Sequence, residues 1–169
     1  DPASGTHSLF GDLSAYNNRK WTGGVYHPSG YVVAIPGSAE FVLLIDPINK
    51  TTRKMGDLFT GSDKWAGAIL TANYDIVAIP NIDDRILVIR YENVWQTQTY
   101  SLPEGVSVAD TCNGKWQGGV LAANDKIYAI PSCGKEILVI DTANDYAMSL
   151  IDNIDTETLS GPGLHIDGY

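Results

Sequence analysis

One block of this chain is written three times, and that constrains its fold more than any other feature. KWTGGVYHPSGYVVAIPGSAEFVLLID (Lys20 to Asp46) returns as KWAGAILTANYDIVAIPNIDDRILVIR (Lys64 to Arg90) and as KWQGGVLAANDKIYAIPSCGKEILVID (Lys115 to Asp141). Each Trp is followed 15 residues on by a Pro (21 to 36, 65 to 80, 116 to 131), and each Pro 9 residues on by an Ile (45, 89, 140). The copies therefore align without a gap. Repetition at separations of 44 and 51 residues marks a repeat architecture in which each unit is one supersecondary element.

Within a copy the periodicity is that of strands. A small-residue start (Gly23-Gly24, Gly67-Ala68, Gly118-Gly119) and a short apolar run make strand a, closed by a turn at 28–30, 72–74 or 123–125. Strand b follows (Tyr31 to Ile35, Ile76 to Ile79, Ile127 to Ile130), stopped by Pro36, Pro80 or Pro131, which cannot donate to a ladder. Strand c (Val42 to Ile45, Ile86 to Ile89, Ile137 to Ile140) is unbroken aliphatic sequence, as expected of a strand covered on both faces. More polar stretches (Thr51 to Leu58, Trp95 to Leu102, Tyr146 to Ile151) suit an outer strand d. Four strands in about 40 to 50 residues is the size of one propeller blade.

The KWxGGV, IYAIP and ILVID blocks resemble a family of β-propeller repeats, loosely related to kelch-type blades, found in large repeat proteins of single-celled eukaryotes. The resemblance covers most of the chain but implies little about function, since propellers serve many purposes. Ala68 departs from the Gly pair, and Arg90 from the Asp that closes the other copies.

The expected fold is thus all-β, a single repeat domain over residues 1–169 with three four-stranded propeller-type blades at 20–58, 64–102 and 115–151. Residues 5–13 resemble 51–58, both ending in Gly-Asp-Leu, and are expected to form an extra outer strand; 152–169 form a tail. Three blades are too few to close a propeller, which needs about four to eight. The wheel is therefore incomplete or completed by another chain.

Composition narrows the partners. A net charge of −9 and 11 scattered basic residues argue against nucleic acid, whose binding needs clustered Lys and Arg. No apolar run approaches the roughly 20 residues of a membrane span, so no membrane insertion is expected, and no signal-peptide pattern opens the chain. Cys112, in the d-to-a connection of the third unit, and Cys133, in its b-to-c connection, should emerge on the same face of the blade; a disulfide is expected, with two reduced thiols as the alternative. Asn49-Lys50-Thr51 is an N-glycosylation acceptor. Together these two features point to a secreted, extracellular protein.

Trp21, Trp65 and Trp116 are expected to fill the gaps between neighbouring blades, with a stacking platform as the alternative. Lys20, Lys64 and Lys115 should snorkel or pair with a carboxylate near each Trp, and the Gly pairs should let strands approach around a crowded axis. His7, His27 and His165 share no repeat position or ligand spacing. Asp83-Asp84 and the tail acids Asp152, Asp155 and Glu157 match no calcium loop. No nucleophile elbow or carboxylate pair stands out, so no cofactor is expected and the chain reads as a non-catalytic interaction module. It should self-associate through the orphan outer strand or the tail, as a closed ring or a filament. A lectin-like propeller binding carbohydrate on loops 37–40, 81–84 and 132–135 is the alternative. An enzyme would need an unrepeated constellation, for which Asp110 and His165 are the candidates to examine.

Overall fold

The structure, a computed structural model, describes residues 5, 7, 9–13, 20–56, 59–106 and 114–151. These residues contain twelve β-strands and no helix. Strands β1 (Trp21–Tyr26), β2 (Val32–Pro36), β3 (Val42–Asp46) and β4 (Thr51–Met55) form one antiparallel sheet in chain order. Strands β5 (Trp65–Leu70), β6 (Ile76–Pro80), β7 (Arg85–Tyr91) and β8 (Trp95–Ser101) form the second. The third comprises β9 (Trp116–Leu121), β10 (Lys126–Pro131), β11 (Ile137–Asp141) and β12 (Ala147–Ile151). Each copy of the block is thus one up-and-down blade, as the repeat predicts.

The blades stand side by side around an axis, with β1 beside β5 and β5 beside β9. Each strand a carries a bulge just after its Trp, where Gly23, Gly67 or Gly118 takes a φ of +76° to +78°. A Cβ on Gly23 would meet the Gly67 Cα at 3.4 Å, and one on Gly67 the Gly118 Cα at 3.6 Å. The positive φ is what calls for glycine at the first place of the pair. At the second place φ is not positive, which is why Ala68 is tolerated there.

Two apolar cores lie between the blades. Val33, Ile35, Val42 and Leu44 of blade one meet Trp65, Ile76, Ala78, Leu87 and Ile89 of blade two. The opposite face of blade two, Val77, Ile79, Ile86 and Val88, meets Trp116, Ile127, Ala129, Leu138 and Ile140 of blade three. This explains the unbroken aliphatic strands, since β6 and β7 are covered on both faces. Trp65 and Trp116 fill the gaps between blades at 0% exposure, and each indole N–H donates to a carbonyl of its own blade (Arg85 and Glu136, both 2.8 Å). Trp21 repeats the bond, to Phe41 O at 3.1 Å, but is only half-buried. Pro36, Pro80 and Pro131 end their strands opposite the three tryptophans.

Residues 9–13 pair with no strand and add no fifth strand to a sheet; Gly11 lies against Thr52 of β4. The departure at Arg90 has a simple cause. Lys126 pairs with Asp141 across blade three, and at the same two places in blade two Asp75 pairs with Arg90 (3.2 Å), so the bridge is kept with its charges exchanged. Arg90 also donates to Gln98 Oε1 and Tyr100 OH, and the buried Tyr146 of blade three donates to Asp75, which extends the bridge into an inter-blade network.

Candidate functional site

The repeated lysines bond chiefly to main-chain carbonyls, and Lys64 and Lys115 tie their blades to the loop of the one before; Lys115 also makes the carboxylate pair that the sequence allowed. Lys64, at 2% exposure, donates through Nζ to the carbonyls of Gly37 (2.8 Å), Ala39 (3.0 Å) and Gly61 (2.9 Å). Burial lowers its pKa, while the carboxylates of Asp83, Glu40 and Asp63 act to keep it charged. Lys115 reaches Ile82 O at 2.8 Å and pairs with Asp84 at 2.8 Å. Lys20 takes Leu13 O at 2.7 Å. A backbone ladder runs beside these struts. Lys64 N donates to Gly37 O and Lys115 N to Asn81 O, while each lysine carbonyl accepts from the loop of its own blade.

Loops 37–40 and 81–84, the carbohydrate sites of the alternative reading, commit these carbonyls to the lysine struts. Asp83 is held by Arg85 at 2.8 Å and Asp84 by Lys115. Beside the struts, around the axis, opens a cavity of about 610 Å³ lined by Thr22, Asp63, Asn81, Gln117 and the bulge glycines 23, 67 and 118. Among the described residues no group of three or more His, Cys, Asp or Glu could hold a metal ion. Cys112, Asp110, His165 and the tail acids lie outside the described residues, and Cys133 is not a free thiol. Asn49 is exposed in the β3–β4 turn, where its amide donates to Asp46 at 2.8 Å.

The two end faces carry the positions that form the interior joints. On the leading side of blade one, Val32, Ala34 and Ile45 are half-buried and Leu43 is 3% exposed, where the same places in blades two and three are 0% exposed (Ile76, Ala78, Leu87, Ile89 and Ile127, Ala129, Leu138, Ile140). On the trailing side of blade three, Ile130 is 50% exposed, whereas Ile35 and Ile79 at the same place are 0%. Its neighbours Val120 and Ile151 are 58% and 44% exposed. Every interior joint of the molecule packs a trailing face of this kind on a leading one.

Sequence reasoning missed a cluster at the opposite rim of the blade one–blade two joint. His27 is buried, with Trp95, Tyr91 and Tyr74 ring centroids at 4.9, 5.8 and 6.5 Å. Ser29 N–H donates to Nδ1 at 3.0 Å, so Nε2 carries the proton and donates to Tyr74 O at 3.1 Å. Desolvation lowers the His27 pKa, against smaller opposing effects from the Tyr74 bond and Asp75. The unfolded imidazole therefore protonates first as pH falls. This contribution to stability is complete above about pH 6.5, the unfolded value, and is lost on acidification towards the lower folded value. Thermal melts at pH 8 and 5.5 should show a smaller acid-induced fall for His27→Gln than for the native chain. The only signals for this cluster were aromatic residues at unrepeated positions.

Solved structures with this architecture are β-propellers. The chain is similar to a streptogramin B lyase (17% identity, TM-score 0.63, 83% of this chain and 43% of that one). It is also similar to virginiamycin B lyase from Staphylococcus aureus (16% identity, TM-score 0.61, 82% and 43%). A third likeness is to a protein described as a 6-phosphogluconolactonase from Bacteroides uniformis (14% identity, TM-score 0.52, 77% and 39%). The chain spans less than half the length of each. No protein-family model and no curated protein matches it. These identities show the fold alone. They correct one expectation: lyases share the fold, so the repeat gives no ground for reading the chain as non-catalytic.

Proposed function

We propose that this chain is an interaction module: a three-blade wedge that completes a wheel by docking its end faces on another copy of itself. The supporting observation is Ile130, half exposed at a place that the other two blades bury fully. Docking blade three of one chain on blade one of the next repeats a joint the fold already makes twice, and brings Lys20 to loop 132–135. Two chains would supply six blades, within the usual range of about four to eight. A ring results if the rotation closes, and a filament if it does not. The end faces carry the contact in this reading, and residues 9–13, which pair with no strand of their own chain, remain available to add to it.

This joint is weaker than the internal ones. Lys135 stands at the loop position held by Glu40 and Asp84 in the other blades, so the incoming Lys20 meets a like charge. Sedimentation velocity tests the reading. Ile130→Asp should abolish association, and Lys135→Glu should tighten it at least about threefold, roughly 0.7 kcal/mol. A native chain that sediments as a monomer at every concentration would overturn it. An extracellular setting, a Cys112–Cys133 bridge and a glycan on Asn49 belong to the same proposal. Intact mass with and without reductant reads the last two.

A further inference from the structure

We propose that the cleft between the outer strand of blade one and the β7–β8 turn of blade two binds a small ligand carrying a carboxylate on a six-membered ring with an apolar face. The cleft, about 260 Å³, is lined by Tyr31, Tyr91, Trp95 and Leu44, with Arg53, Lys54 and Asn93 among its polar residues. Its aromatic residues are not required by the repeat. Tyr91 and Trp95 occupy places where blade one has Pro47 and Lys50 or Thr51 and blade three has Thr142 and Tyr146 or Ala147, yet Tyr91 keeps 42% of its surface in solvent. Blade two has therefore placed large rings at an open rim that the fold fills elsewhere with mostly smaller groups.

The charge is equally unusual. The chain carries a net −9, and the other described arginines, Arg85 and Arg90, are each held by a carboxylate. Arg53 is exposed, faces this cleft, and has no ion pair among the described residues. A planar guanidinium accepts a carboxylate in a two-point contact, while the rings of Trp95 and Tyr91 offer flat apolar faces to the body of the ligand. His27, neutral behind Trp95 with both nitrogens engaged, helps set the indole's position. Two sources of this chemistry exist, a uronic-acid sugar and an aromatic carboxylate.

Calorimetric titration of the full chain with glucuronate, with 4-hydroxybenzoate and with neutral glucose tests the proposal. One carboxylate is expected to bind saturably with a Kd below about 1 mM, glucose at least tenfold more weakly, and the responding ligand identifies the source. Arg53→Gln should weaken binding about tenfold or more, and Trp95→Phe should weaken it and remove the accompanying fluorescence change, with melting temperatures confirming that both variants fold. Absence of saturable binding to either carboxylate at about 10 mM, or an unchanged Kd in Arg53→Gln, would overturn the site.

Discussion

Trp65→Ala is expected to lower stability by about 3–5 kcal/mol for the lost indole and its cavity, with a further ~1–3 kcal/mol for the Arg85 carbonyl left without its partner. Against a typical total of about 5–15 kcal/mol, that loss removes much of the fold's margin. The indole is fully enclosed between blades one and two, with Phe59 edge-on at 5.2 Å, so the site cannot relax into solvent. Trp21→Ala makes the same chemical change at the same place of the repeat, but on a half-buried ring, and should cost less than half as much in the isolated chain. Urea titration of the two variants checks the pair. Equal losses would mean that blade one's leading face is as well packed as the interior joints.

Lys64→Met is the second large effect, with an expected loss of about 3 kcal/mol. The methionine keeps most of the apolar stem but removes the ammonium shared by three carbonyls: Ala39 O loses its donor, Gly37 O keeps only the Lys64 N–H, and the exposed Gly61 O turns to water. Leaving buried acceptors unpaired costs more than the net worth of the bonds themselves. Lys115→Met should cost less, because Lys115 has an exposed partner in Asp84 that water can resolvate. Hydrogen exchange would locate the damage. The Lys64 amide, bonded to Gly37 O across the joint, should lose protection first; protection unchanged there, with loss only inside blade two, would contradict the strut.

Most of the architecture was legible in the repeat because its determinants are side chains that must recur. The indoles that fill each joint, the bulge glycine and the double-faced strand c all appear three times at fixed spacing. The lysine struts were legible as a position but not as an interaction. Their acceptors are main-chain carbonyls, which leave no mark on a sequence, so snorkelling or a carboxylate partner was the natural expectation; among the described residues, Lys115 has such a partner in Asp84. Arg90 looked like a defect until Asp75 was placed opposite it. The aromatic cleft was invisible for a different reason: Tyr31 and Arg53 come from one blade and Tyr91 and Trp95 from the next, and no spacing rule joins them. The resemblance between residues 5–13 and 51–58 has no counterpart within the chain, where residues 9–13 pair with no strand, because a strand pairs into a sheet only when a neighbour is there to receive it.

The mass of the native chain in solution tests the central claim most directly. Light scattering across a hundredfold range of concentration should show a species at a multiple of 18.3 kDa that dissociates on dilution, twice that value for a closed six-bladed ring. A single species of 18.3 kDa throughout, with the same melting temperature in the native chain and in Ile130→Asp, would show that the end faces need no partner.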